Sequence, residues 1–128
     1  MKLALVQGLL VTTVTIRHRS RLTVVEKMVV DTGSAQAWVN VNAIEAELDL
    51  TPEEADEFGT ALGVGGLEAA LRKTVDEIAL DISHAYAFPI DVGSLGPGLG
   101  GLIGLDFLRA GQFLLDCGAL ELRRENHS

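Results

Sequence analysis

The residues best equipped for chemistry are Asp31-Thr32-Gly33-Ser34. They directly follow the apolar run Met28-Val29-Val30 and precede Ala37-Trp38-Val39. An Asp at the mouth of a buried strand is expensive to ionise unless something compensates. Thr32 and Ser34 bring hydroxyl donors, and Gly33 lets the backbone turn sharply and come close to the carboxylate. Taken alone, the tetrapeptide is an ordinary turn, because its residues are common turn formers. The apolar segments on either side, and an apolar-glycine element downstream, point instead to a carboxylate positioned for acid–base work.

Other candidates are weaker. Gly63-Val64-Gly65-Gly66 interrupts the middle of the chain, and Gly96-Pro97-Gly98-Leu99-Gly100-Gly101 matches G-x-G-x-x-G. A dinucleotide site needs that motif inside a βαβ unit with an acidic residue well beyond it. Pro97 sits inside the motif and no parallel-sheet pattern surrounds it, so a flexible loop is the better reading. Cys117 has no patterned His partner and forms no internal disulfide. His18, His84 and His127 are far apart, and no Cys/His pair has metal-ligand spacing. His18 is expected at a solvated hairpin tip, His84 and His127 in loops or the tail. Glu53, Glu54, Asp56 and Glu57 read as a solvated face. Asp106 reads as a local structural carboxylate, and Trp38 as packing.

The elements that must hold Asp31 are mostly strands. Leu10 to Arg17 alternates and is β-branched, which favours a pleated strand over a helix. Leu22 to Val30 makes a second strand across a polar tip, so an antiparallel hairpin is predicted. Asn42 to Leu48 reads as a short helix, and Thr51-Pro52-Glu53-Glu54 as a capped helix start. Leu67 to Asp76 has helical spacing and good helix formers, with strand-like alternation afterwards. Ala87 to Val92 is a further strand. Gly101 to Leu108 enters a short helix stopped by Gly111, and Phe113 to Asp116 with Ala119 to Leu122 makes a last hairpin.

The 128 residues carry a net charge of −8 at pH 7, which argues against nucleic acid and anionic membrane as partners. Apolar residues at 48% and charged residues at 22% are the balance of a folded globular domain. One domain over 1–124 with a frayed tail at 125–128 is expected. The apolar start Leu3 to Val11 is broken by Gln7-Gly8 and followed by no small-residue cleavage site, so a cytoplasmic location is expected.

The apolar-Asp31-Thr32-Gly33-Ser34 element, the glycine turn Gly63 to Gly66, and Leu102-Ile103-Gly104-Leu105-Asp106-Phe107-Leu108 occur in this order. The ordered set resembles the single-domain, retroviral-type (retropepsin-like) aspartic proteases, in particular their bacterial members, over about Leu5 to Leu122. The resemblance implies an all-β fold: a closed β barrel with one short C-terminal helix and one half-site per chain. It implies a homodimer with Asp31 of each chain as the catalytic pair, acting on a peptide or protein substrate without metal or cofactor. Thr32 is then expected to bond across the dimer, Gly33 to keep the turn, and Ser34 to donate to the outer oxygen of Asp31. Gly104 is expected to pack behind the loop, and Gly63, Val64, Gly65 and Gly66 to form the substrate-binding flap. Leu3 to Val6 and Ala119 to Leu122 are expected in the dimer sheet. The family has an extended arm after the flap, so Leu67 to Asp76 is read as strand against its propensity.

Two carboxylates about 3 Å apart share one proton, which supplies both a base for water and an acid for the developing oxyanion. A lone Asp31 is not both, so dimerisation belongs to the mechanism. A Ser34 hydroxyl on the carboxylate would favour its charged form and an acidic optimum. A retropepsin-like dimerisation or peptide-binding module without proteolysis stays open beside this reading.

Overall fold

The computed structural model describes residues 1–63, 66–96 and 98–124. Val64, Gly65 and Pro97, and the expected tail at 125–128, lie outside them. The chain is mostly β. In order, it forms β1 (Ala4–Val6), β2 (Leu9–His18), β3 (Arg21–Val30), β4 (Trp38–Asn40), α1 (Val41–Ile44), β5 (Glu57–Gly63) and β6 (Gly66–Leu80). There follow β7 (Ser83–Gly93), β8 (Gly101–Ile103), α2 (Leu105–Ala110), β9 (Phe113–Asp116) and β10 (Glu121–Arg124).

The main sheet runs β1-β2-β3-β8-β4-β7-β6-β5, and β2 also pairs with β6. That last pairing, Ile16 opposite Ile78, returns the hydrogen bonding from β6 to β2. Alternation puts Val14, Ile16, Val25, Met28, Val39, Val75, Ile78, Ile90 and Ile103 into one buried cluster, onto which α2 lays Phe107 and Leu108. Phe107 meets Phe88 edge-on, with ring centres 5.6 Å apart. On β3 the alternation changes phase at a bulge opposite Thr12/Val14, where Lys27 takes φ 56°. The bulge lets both Val25 and Met28 point inward.

The expected β2–β3 hairpin and the short helix stopped at Gly111 are present. Leu67 to Asp76 is strand: β6 pairs with β5 along one stretch and with β7 along another, so the sheet ladder overrides helical propensity. The Thr51-Pro52 helix is not formed. Instead, Glu53 of its expected first turn lies 2.8 Å from His18 Nε2, and Asp56 lies 2.7 Å from Lys73 Nζ of the sheet. His18 and the Asp56 carboxylate are therefore buried against polar partners, not a solvated tip and face. The helix expected over Asn42 to Leu48 shortens to α1, capped by Asn40 accepting from the Asn42 amide. His84 lies on β7 facing Glu77 rather than in a loop. The last strand starts at Glu121, two residues later than expected. Among the described residues, no helix is long and apolar enough to cross a membrane.

Closure through Ile16 and Ile78 should dominate stability. Ile78→Ala is expected to cost about 2–5 kcal/mol in urea unfolding. Ile82→Ala, at a 71% exposed position, should stay within about 0.5 kcal/mol.

Candidate active site

The site begins where β3 ends. Met28, Val29 and Val30 pair in parallel with Gly101, Leu102 and Ile103 of β8, and the ladder carries on one step as the Asp31 amide donates to the Ile103 carbonyl at 3.0 Å. The backbone then turns, with the Ser34 amide donating to the Asp31 carbonyl at 3.2 Å. The Gly33 amide donates to Asp31 Oδ1 at 2.9 Å. A Cβ at Gly33 would stand 3.2 Å from that oxygen, so glycine gives the close approach. Asp31 is half-buried, while Thr32 and Gly33 are exposed. The loop thus presents a backbone-tethered carboxylate at the surface, able to accept or hold a proton.

The loop is clamped from behind by the start of α2. The Leu105 amide donates to the Ser34 carbonyl at 2.7 Å, and the Asp106 amide to the Ala35 carbonyl at 3.3 Å. Asp106 returns the favour with both oxygens: Oδ2 accepts from the Ala37 amide at 3.2 Å and Oδ1 from the Phe107 amide at 2.7 Å. Asp106 is thus the local structural carboxylate expected, and it also satisfies an otherwise orphaned helix N–H. Gly104 sits against Gln36 so closely that a Cβ there would lie 2.4 Å from its carbonyl carbon. Gly104 thus packs directly on the chain that follows the Asp31 turn.

Ser34 differs from expectation. Its hydroxyl donates to the Gln36 carbonyl at 2.7 Å, closing the loop on itself, and Gly33 rather than Ser34 supplies the bond to the carboxylate. The Ser34 ground for an acidic optimum therefore falls away. Of the glycine turn, Gly63 and Gly66 face each other as register partners joining β5 to β6, and Val64 and Gly65 lie outside the described residues.

One row of register partners crosses the sheet on the side away from the main core: Val29, Leu102, Trp38, Asp91 and Arg72. Asp31 follows Val29 by two residues and continues that side of β3. Trp38 is buried against Gly93, where a Cβ would lie 2.6 Å from the indole ring. Arg72 Nη1 bonds Asp91 Oδ1 at 3.1 Å and caps the row with an ion pair. Sequence reasoning missed Arg72, Asp91 and the tight backbone contacts of Gly100 and Gly101; the sequence signal for Gly100 and Gly101 was the glycine-rich loop itself. Among the described residues, no group of His, Cys, Asp and Glu is arranged to hold a metal ion.

Comparison with models of known protein families and with curated proteins finds no match to this chain.

The clamp predicts a sharp contrast between glycines. Gly104→Ala must displace the backbone of Gln36 and is expected to cost roughly 1–3 kcal/mol in denaturant unfolding. Gly59→Ala meets nothing within 4 Å and should change stability by less than about 0.5 kcal/mol.

Proposed function

We propose that the chain is a homodimeric aspartic endopeptidase of retropepsin-like type, with Asp31 of each protomer forming the catalytic pair. The observation that carries this reading is the loop itself: a half-buried carboxylate at a strand end, tethered by the Gly33 amide and buttressed by Gly104 and Asp106. The circuit of pairings β2-β3-β8-β4-β7-β6-β2 supports the reading of a closed barrel, and α2, near the C-terminus, supports that of a short C-terminal helix. The β5–β6 hairpin, joined across Gly63 and Gly66, supports the flap assignment.

In this reading the two Asp31 carboxylates hold one proton and one water between them. The ionised carboxylate takes a proton from the water as its oxygen bonds the peptide carbonyl carbon. The protonated one gives its proton to the carbonyl oxygen, which becomes a hydroxyl on the tetrahedral intermediate. As the C–N bond breaks, the carboxylic acid formed from the water's proton protonates the leaving nitrogen. The other carboxylate takes a proton from a hydroxyl of the intermediate as it becomes the product acid, and the pair is again singly protonated. Peptide binds extended, by main-chain hydrogen bonds.

The terminal segments expected in a dimer sheet pair with each other inside one chain. The Leu3 amide donates to the Leu120 carbonyl at 2.8 Å and the Leu122 amide to the Met1 carbonyl at 2.9 Å. A dimer built on them either adds to this small sheet or exchanges the segments between protomers.

The test is sedimentation mass together with cleavage of a peptide library, with and without pepstatin. Specific activity should rise with chain concentration, because only the dimer holds both carboxylates. Asp31→Asn should lower cleavage by at least about 100-fold while leaving mass and unfolding midpoint unchanged. A dimer that cleaves nothing at saturating concentration would identify a binding module instead.

A further inference from the structure

The segment Thr51 to Asp56, which leads directly into β5, buries no apolar side chain. Ionic and polar contacts hold it to the sheet. Lys73 of β6 is completely buried in the strand position between Leu71 and Val75, where an apolar residue is the norm. Its ammonium donates to Asp56 Oδ2 at 2.7 Å and to the Thr51 carbonyl at 3.3 Å, and lies 3.4 Å from Glu53 Oε1. From β2, His18 Nε2 lies 2.8 Å from the same Glu53 oxygen, with the ring 3% exposed. From the following turn, Arg19 reaches Glu53 Oε1 at 2.9 Å and Asp49 Oδ2 at 3.1 Å. Asp76 of β6 completes the surroundings: its Oδ1 is 3.6 Å from His18 Nδ1 and its Oδ2 accepts the Arg19 amide. Within the segment, the Glu53 amide donates to Asp56 Oδ2 and the Asp56 amide to the Glu53 carbonyl.

We infer that Thr51 to Asp56 is an acid-labile ionic latch, closed on Lys73 and His18 at neutral pH and released as a unit in acid, freeing the root of β5 while the sheet stays paired. An ammonium with no water around it is tolerated only while its partner is charged and bonded. Protonation of Asp56 removes that partner and leaves Lys73 to draw water in. Ile16 and Ile78 themselves have nothing to titrate. Beside them in the same pairing Arg17 bonds Glu77, which also faces His84. The His84 hydrogen bond and then Arg17 hold Glu77 below its ordinary value, so β2–β6 protection is followed alongside that of β5.

The sign follows from the carboxylates. Burial pushes Asp56 up, but the Lys73 hydrogen bond, the Glu53 amide and the Lys73 charge outweigh it and hold it below its ordinary value. The His18 hydrogen bond lowers Glu53 against burial, helped by the charges of Lys73 and Arg19. Bonds from the Thr51 hydroxyl and amide, and then from Arg19, hold Asp49 far down. Groups depressed in the folded state stabilise it above their unfolded values, and that stability is lost as pH falls through the folded ones. The latch is therefore intact at neutral pH and opens only in acid, below the ordinary carboxylate range.

Any effect on catalysis rests on the protease reading, because β5 is the first arm of the hairpin assigned as the flap. The latch itself does not, and hydrogen exchange tests it without cleavage. Wild-type amides are followed by mass spectrometry from about pH 7 to about pH 3, corrected for intrinsic exchange rates. Protection at Glu53, at Asp56 and across β5 should fall about ten-fold or more before β3 loses any. Lys73→Met with Asp56→Asn and Glu53→Gln removes the charges that meet at Lys73, leaving Arg19 with Asp49 and Asp76. It should lessen the acid loss across β5 by about ten-fold or more. Loss of protection in β5 and β3 together, no loss in β5, or the same acid loss in the triple variant would overturn the latch. If the triple variant does not fold, the wild-type titration decides alone.

Discussion

Most of this structure depends on the short parallel seam between β3 and β8. Three register pairs bring the end of one apolar strand beside the end of another, so that Val30 finishes next to Ile103. The Asp31 loop and the N-terminus of α2 are then forced into the same few ångströms. Gly104 has to be small there, because Gln36 occupies the space a Cβ would need. Asp106 has to be a short acceptor, because amides from both elements converge on it. The carboxylate of Asp31 is held by backbone on its near side and open on its far side, an arrangement a flexible loop would not maintain.

The two halves of the molecule are stabilised by different physics. Around Ile16, Ile78, Ile103 and Phe107 the interior is dry and apolar, and its contribution scales with area removed from water. Around Lys73 the interior is ionic. Desolvation there is offset only by close pairing, so the region is conditional on protonation in a way the apolar half is not. The strand that spans both regions is β6: its Ile78 end closes the sheet, and its Lys73 end carries the latch beside the root of β5.

Much of this was legible from residue order. The alternation of Leu10 to Arg17 and Leu22 to Val30 marked the first hairpin, and Gly111 marked the end of α2. The tetrapeptide at 31–34 marked the strand-end carboxylate, and Asp106 was legible as a local cap. Less legible were residues whose partners are remote. His18 and Glu53 are 35 positions apart, and nothing in either neighbourhood announces the other. Ser34 read as a donor to the Asp31 carboxylate, but the folded loop turns its hydroxyl to the Gln36 carbonyl. Thr51-Pro52-Glu53-Glu54 had every local feature of a helix start, yet Glu53 lies 3.4 Å from Lys73 Nζ of the sheet and no helix forms.

Local spacing and side-chain shape by themselves determined that this chain would be built from strands and that Asp31 would follow a buried one. β-branched alternation and glycine permissiveness act within a few residues. Tertiary structure alone decided that Leu67 to Asp76 would be extended and that Lys73 would be buried at neutral pH. Both outcomes depend on long-range pairing: a ladder needs neighbouring strands, and a buried charge needs a counter-ion brought from elsewhere in the chain.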